Sequence, residues 1–173
     1  SALDRFSAPE HGAPDLLVAS GGQQFSGNDH RLRPRLYLNN GSGILRSAIQ
    51  NLPEVYLNAS CVKAADYDGD NDFDVFIGAR VVTGQYGIIP ESLLLINDGT
   101  GHFTDESWRL NSSTRDSKLG MVTDASWLDI NGDQRTDLIV VGEWMPITVL
   151  IQDGSGSFVV RTTPYGLDYT KEW

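Results

Sequence analysis

The sequence predicts an all-β fold of about three repeated units, each of four short antiparallel strands, and three observations predict it. An Asp followed by a short apolar run that ends in small residues occurs as DLLVASGG from Asp15, DVFIGARV from Asp74 and DLIVVGEW from Asp137, at spacings of 59 and 63 residues. Each run is followed by a strand, a polar Gly turn and another strand: LYLNNGSGIL from Leu36, LLINDGTGHF from Leu94 and VLIQDGSGSF from Val149. The apolar runs are short, rich in Val, Ile, Leu and Phe and bounded by Gly, Asn and Asp, which is strand rather than helix behaviour.

In the first unit the strand from Asp15 leads into a connection over 21–34 that carries His30, Arg31 and Arg33, and then into the turn Asn39-Asn40-Gly41. The second unit has an additional strand, ASCVKAADYD at 59–68, before its Asp74 run. A connection over 82–92 with Tyr86 and Pro90 then leads to Asn97-Asp98-Gly99. The third unit repeats the additional strand as GMVTDASWLD at 120–129, shortens the connection to Glu143-Trp144-Met145-Pro146 and turns at Gln152-Asp153-Gly154. The Gly in each turn can take the positive φ that hairpins require. A repeat of this length with four short strands suits a blade of a β-propeller, whose central strands are buried on both faces. The expected organisation is one propeller segment over 1–173, with units of about 1–65, 66–128 and 129–173 and incomplete end units. Closed propellers need about four to eight blades, so the chain is expected to be part of a longer ring and to self-associate through its open blade faces.

Two acidic loops punctuate this pattern. DYDGDNDFD at 66–74 puts Asp66, Asp68, Asp70, Asp72 and Asp74 on alternate positions, and DINGDQRTD at 129–137 puts Asp129, Asn131, Asp133 and Asp137 at the same offsets. Like-charged carboxylates about 4 Å apart cost on the order of 4 kcal/mol per pair at an effective dielectric near 20, so such a loop calls for a cation. All-oxygen donors favour calcium over zinc, and calcium tolerates irregular geometry better than magnesium does. Two calcium ions are expected, held by the side chains of Asp66, Asp68, Asp70 and Asp74 and of Asp129, Asn131, Asp133 and Asp137, with Asp72 and Arg135 giving backbone carbonyls. The competing readings are a solvated Asp-rich turn and a helix-flanked EF-hand. The EF-hand needs a Glu at loop position 12, where this chain has Ile77 and Val140.

A formal net charge of −10 argues against nucleic acid or an anionic membrane as the main partner. No run approaches the length of a membrane span, so no membrane insertion is expected. No leader is visible, which fits a removed signal or an excised segment. Cys61 reads as a buried strand residue, and His11, His30 and His102 as surface residues. Arg31, Arg33 and Arg35 suit the protection of a strand edge better than an anion patch. Tyr86, Trp144 and Tyr165 could stack on a sugar or staple their loops.

The run LGMVTDASWLDINGDQRTDLIVVGEW from Leu119 resembles an FG-GAP repeat, the blade unit of integrin alpha subunits, and also the VCBS-type repeats of secreted bacterial proteins. The resemblance extends over about residues 10–165, with Gly78-Ala79 matching the family's closing Gly-Ala. It implies calcium ligands at the Asp and Asn positions named above and an extracytoplasmic setting. At the sixth loop position, often Gly in the family, stand Asn71 and Gln134. Asn tolerates a left-handed backbone and Gln does so poorly, which predicts a weaker second site. Two functions follow: a calcium-stabilised scaffold presenting loops to a protein or glycan, or part of a propeller-type polysaccharide-active enzyme. The basic residues and histidines are scattered rather than clustered, which favours the non-catalytic scaffold.

Overall fold

A computed structural model describes residues 2–6, 13–167 and 169–170 of the chain. Its strands form three antiparallel four-stranded sheets. The first contains β1 (Ala2–Phe6), β2 (Asp15–Ala19), β3 (Arg35–Asn39) and β4 (Leu45–Ser47). The second contains β5 (Asn58–Ala65), β6 (Asp74–Val81), β7 (Leu93–Asn97) and β8 (Phe103–Asp105). The third contains β9 (Met121–Leu128), β10 (Asp137–Glu143), β11 (Thr148–Gln152) and β12 (Phe158–Val160). Each sheet is a simple meander, and the innermost strand β5 packs on both β1 and β9. The only helical segments among the described residues are short 3-10 turns. The architecture is the predicted arc of β-propeller blades.

Hydrogen bonding groups the strand before each acidic loop with the strand after it. The sheets therefore begin one strand ahead of the sequence periods at 66 and 129. β1 occupies the place where the first unit offered no copy of the additional strand. Each end sheet has four strands. Counting back from Asp15, Ser7, Pro9 and His11 stand at the offsets of Asp66, Asp68 and Asp70 and offer no carboxylate; they lie outside the described residues, as does Trp173.

The middle sheet shows why its strands read as near-continuous apolar runs. Val75, Ile77 and Ala79 of β6 join Leu93 and Leu95 of β7 in a core shared with Leu17, Ala19 and Leu36 of the first sheet. The intervening Phe76 and Leu94 join a second core with Val122, Leu138, Val140, Leu150 and Phe158 of the third. Period-2 alternation thus sends apolar side chains to both faces of a sheet buried on both sides. Gly78 is required where β9 crosses β6, because a Cβ there would lie 2.5 Å from Val122 Cγ1 and 2.7 Å from Cys61 Sγ. The sheet edges end in β4, β8 and β12, three residues each, which limits exposed pairing edge.

Candidate metal centre

Each acidic loop joins the first two strands of its sheet, at the same end of the molecule. The first carboxylate of each loop organises the backbone. Asp66 accepts from the amides of Gly69 (2.8 Å) and Asn71 (3.1 Å). Asp129 accepts from those of Gly132 (2.7 Å), Asp133 (3.2 Å) and Gln134 (2.9 Å). Both loops use left-handed backbone at the sixth position, φ 75° at Asn71 and 67° at Gln134. The Gln was expected to resist this conformation. Its amide is held by Asp129, and that bond offsets the strain.

The last carboxylate has a second, purely architectural task. Asp74 Oδ1 accepts from the Asn97 amide at 2.9 Å, and Asp137 Oδ1 from the Gln152 amide at 2.9 Å. Asp15, which follows no acidic loop, accepts from the Asn39 amide at 2.7 Å. All three are buried. The Asp that opens each apolar run therefore pins its strand to the next one whether or not a metal loop precedes it.

The two loops differ in what remains unsatisfied. In the first, Asp66, Asp68 and Asp70 each offer an oxygen, and these oxygens lie within 4.8 Å of one another. This is the only such carboxylate group among the described residues. Asp72, expected to contribute its carbonyl, has a buried side chain whose Oδ1 has no hydrogen-bond partner, and Asp74 Oδ2 is likewise buried and unpartnered. In the second loop, Asp137 Oδ2 accepts from the Ile130 amide at 3.0 Å. Asp133 is taken up by the Arg135 amide at 2.9 Å, the Asn131 side-chain amide at 2.8 Å and the Arg135 guanidinium. The protein itself satisfies much of the second loop, whereas the first leaves buried oxygens that a hard cation would fill.

Electrostatics follow the same division. Burial, reinforced by neighbouring carboxylates, pushes Asp72 up to about 6. Burial pushes Asp74 up to about 8 against the Asn97 amide, with Asp68, Asp72 and Asp70 adding to the rise. Asp68 is raised by burial and by Asp70. Asp129, by contrast, is held below the ordinary carboxylate range by backbone amides, Gln134 foremost.

Tyr67, between the first two ligand candidates, was not singled out from the sequence. It is buried, its hydroxyl donates to the Gly156 carbonyl at 2.9 Å, and its ring stacks on Phe158 and Trp127 at 5.6 and 6.0 Å. The Gln152 side-chain amide donates to its carbonyl at 2.7 Å. The first loop is thereby anchored in the third sheet. An aromatic residue interrupting an acidic alternation was the available signal.

The remaining candidates disperse. Cys61 is buried, and burial raises its thiol. His30 and His102 are exposed, while His11 lies outside the described residues. Arg31 pairs with Asp29 beneath the Phe25 ring, Arg33 donates to the Ile49 and Leu52 carbonyls, and Arg35 donates to Ser20, so the three form no common patch. Tyr86 and Trp144 meet edge to face, whereas Tyr165 sits in the 3-10 turn Thr163–Tyr165.

A family profile described as FG-GAP-like repeat matches residues 11–77, which include the whole first acidic loop. That stretch is similar to an FG-GAP-like repeat. The matched stretch runs through the first sheet from Asp15 and ends within β6, so the second loop lies outside it. Among solved structures the chain is similar to a lectin from Agrocybe aegerita, described in terms of its specific recognition of non-reducing terminal N-acetylglucosamine. The TM-score is 0.56 at 18% identity, over 92% of this chain and 37% of the lectin chain. The chain thus spans little more than a third of that lectin's length, and the likeness supports the fold alone. No curated protein matches in a sequence search.

Proposed function

We propose that this FG-GAP-like propeller segment is a calcium-braced interaction scaffold of an extracytoplasmic protein, presenting loops to a protein or glycan partner. The observation that carries the reading is the first acidic loop. Three converging carboxylates stand beside two buried oxygens that no protein group satisfies, at Asp72 and Asp74. Calcium would draw on Asp66, Asp68, Asp70 and Asp74, with Asp72 adding its carbonyl or its buried side chain. A second, weaker ion would draw on Asp129, Asn131, Asp133, Asp137 and the Arg135 carbonyl, at the cost of releasing the Arg135 guanidinium from Asp133. Extracellular calcium modules bind at about 10⁻⁴ to 10⁻³ M. Titration calorimetry is expected to show one calcium in that range, abolished by Asp68→Ala, and a second at higher concentration. Absence of calcium heat at millimolar concentration overturns the reading. Terminal N-acetylglucosamine, which the similar lectin recognises, is the first glycan to test against this chain.

A further inference from the structure

The end of the molecule opposite the acidic loops carries a feature that calcium binding does not use. There the start of β5 and the end of β6 face the start of β9 and the end of β10 across a cleft of about 430 Å³, lined among others by Asn58, Ser60, Arg80, Tyr86, Thr123 and Glu143. That volume is in the range of small-ligand clefts, about 300–1,000 Å³. Tyr86, one of the lining residues, meets the Trp144 ring outside the cleft at 5.0 Å and 78°, and 63% and 64% of these two residues stay exposed. Trp144 is held in left-handed backbone, φ 56°, a conformation that is a genuine outlier for a bulky residue. Its ring reaches over Gly87, where an added Cβ would lie 3.8 Å from it. Strain spent on keeping an aromatic ring exposed belongs to the pattern seen at ligand-holding positions.

The polar part of the cleft is an ion pair between sheets. The Arg80 guanidinium donates to Glu143 Oε1. Among the described residues, the rest of the guanidinium, Glu143 Oε2, the Tyr86 hydroxyl and the Trp144 indole N–H have no other partner. We propose that this cleft is a binding subsite for a neutral saccharide, in which the Tyr86–Trp144 pair takes the apolar C–H face of one pyranose ring and Arg80 and Glu143 take adjacent hydroxyls. A donor and an acceptor fixed side by side match the vicinal hydroxyls of a sugar. Because the two charges already neutralise each other, a charged ligand would have to break the pair. The net charge of −10 further disfavours an acidic glycan. A protein partner would need roughly 800 Å² of complementary surface around a desolvated centre, whereas here Tyr86, backed by Trp144, lines a concave, polar cleft.

The proposal rests on the scaffold reading but not on the metal, so the two are separable by experiment. The calcium-loaded chain is titrated by calorimetry with cellobiose, maltose, lactose and mannobiose. At least one is expected to bind with a dissociation constant on the order of millimolar or tighter. Trp144→Ala and Tyr86→Ala are expected to weaken it by about tenfold or more, and Trp144→Phe by only about threefold, since a ring is retained. Glu143→Gln, which leaves the aromatic pair in place, separates loss of the hydroxyl contact from loss of fold, and is expected to weaken binding at an unchanged melting temperature. Asp68→Asn is expected to lose calcium while retaining the saccharide. No saturable binding of any of the four sugars up to about 20 mM, or variants that bind as the parent does, overturns the proposal whatever calcium does.

Discussion

Asp74 has a double allegiance, one oxygen committed to the Asn97 amide and the other buried without a partner. It therefore decides how the metal-free protein responds to pH. Its folded pKa, about 8, and that of Asp72, about 6, lie above the unfolded carboxylate value. The folded state then holds protons that the unfolded state has released. This contribution to stability is fully present below about pH 4 and is lost as pH rises through 6 and then 8. In chelator the melting temperature is expected to fall between pH 5 and 8. Saturating calcium, which favours the ionised carboxylates, should flatten or reverse that slope, and calcium binding at pH 6 should release protons, read as a heat that depends on buffer ionisation. Asp74→Asn is the sharper variant: it is expected to raise the melting temperature in chelator and to weaken calcium binding. A variant that lowers both equally would assign Asp74 to architecture alone. At this scale the sequence made the carboxylates legible through their alternation and charge density. It could not reveal that Asp15, Asp74 and Asp137 share a backbone-pinning role, since that depends on a partner 15 to 24 residues away.

Among the elements, the strands were the most readable, because a sheet buried on both faces leaves an apolar signal at every position. Boundaries were less so. The loop motif is the conspicuous part of the repeat, while the strand before it belongs to the same sheet, and β1 has no motif to announce it. The crossing of β9 on β6 was half visible as Gly78-Ala79, but what makes the Gly necessary is Val122, a residue of the next blade. Gly78→Ala is expected to destabilise by about 1–3 kcal/mol through overpacking, measured as a lower urea midpoint. A midpoint equal to the parent's would mean that the crossing has slack. Tyr67 is the corresponding anchor for the first loop. Its phenol is pushed up to about 12, burial being the main cause, so it stays protonated and donating across the physiological range. Tyr67→Phe removes the bond to Gly156 and is expected to cost about 1 kcal/mol. It should also weaken calcium binding at the first loop and leave the second unchanged.

For the whole molecule, calcium is the first lever. A ligand at 100 times its dissociation constant stabilises by about 2.7 kcal/mol, or about 5–10 °C for a chain of this size. Chelation is expected to lower the melting temperature by that order, and Asp68→Ala to melt like the chelated parent even with calcium present. The second lever is the pair of outer sheet faces. The middle sheet is covered on both sides. On the first sheet, Leu16, Val18 and Tyr37 alternate with the core residues Leu17 and Leu36 and are only half-buried. On the third, Ile139, Val141 and Ile151 alternate with Leu138, Val140 and Leu150 in the same way. These side chains occupy the positions that, in the middle sheet, pack against a neighbouring blade. Contiguous apolar surface of more than a few hundred Å² seldom stays bare in water, so the chain is expected to self-associate through these faces. Light scattering should show a mass that rises with concentration and persists in calcium. Val141→Lys on one face and Val18→Lys on the other should each reduce it, since a charge buried in such a contact is unpaired. A monomer at every concentration would mean that half-burial within each end sheet is protection enough.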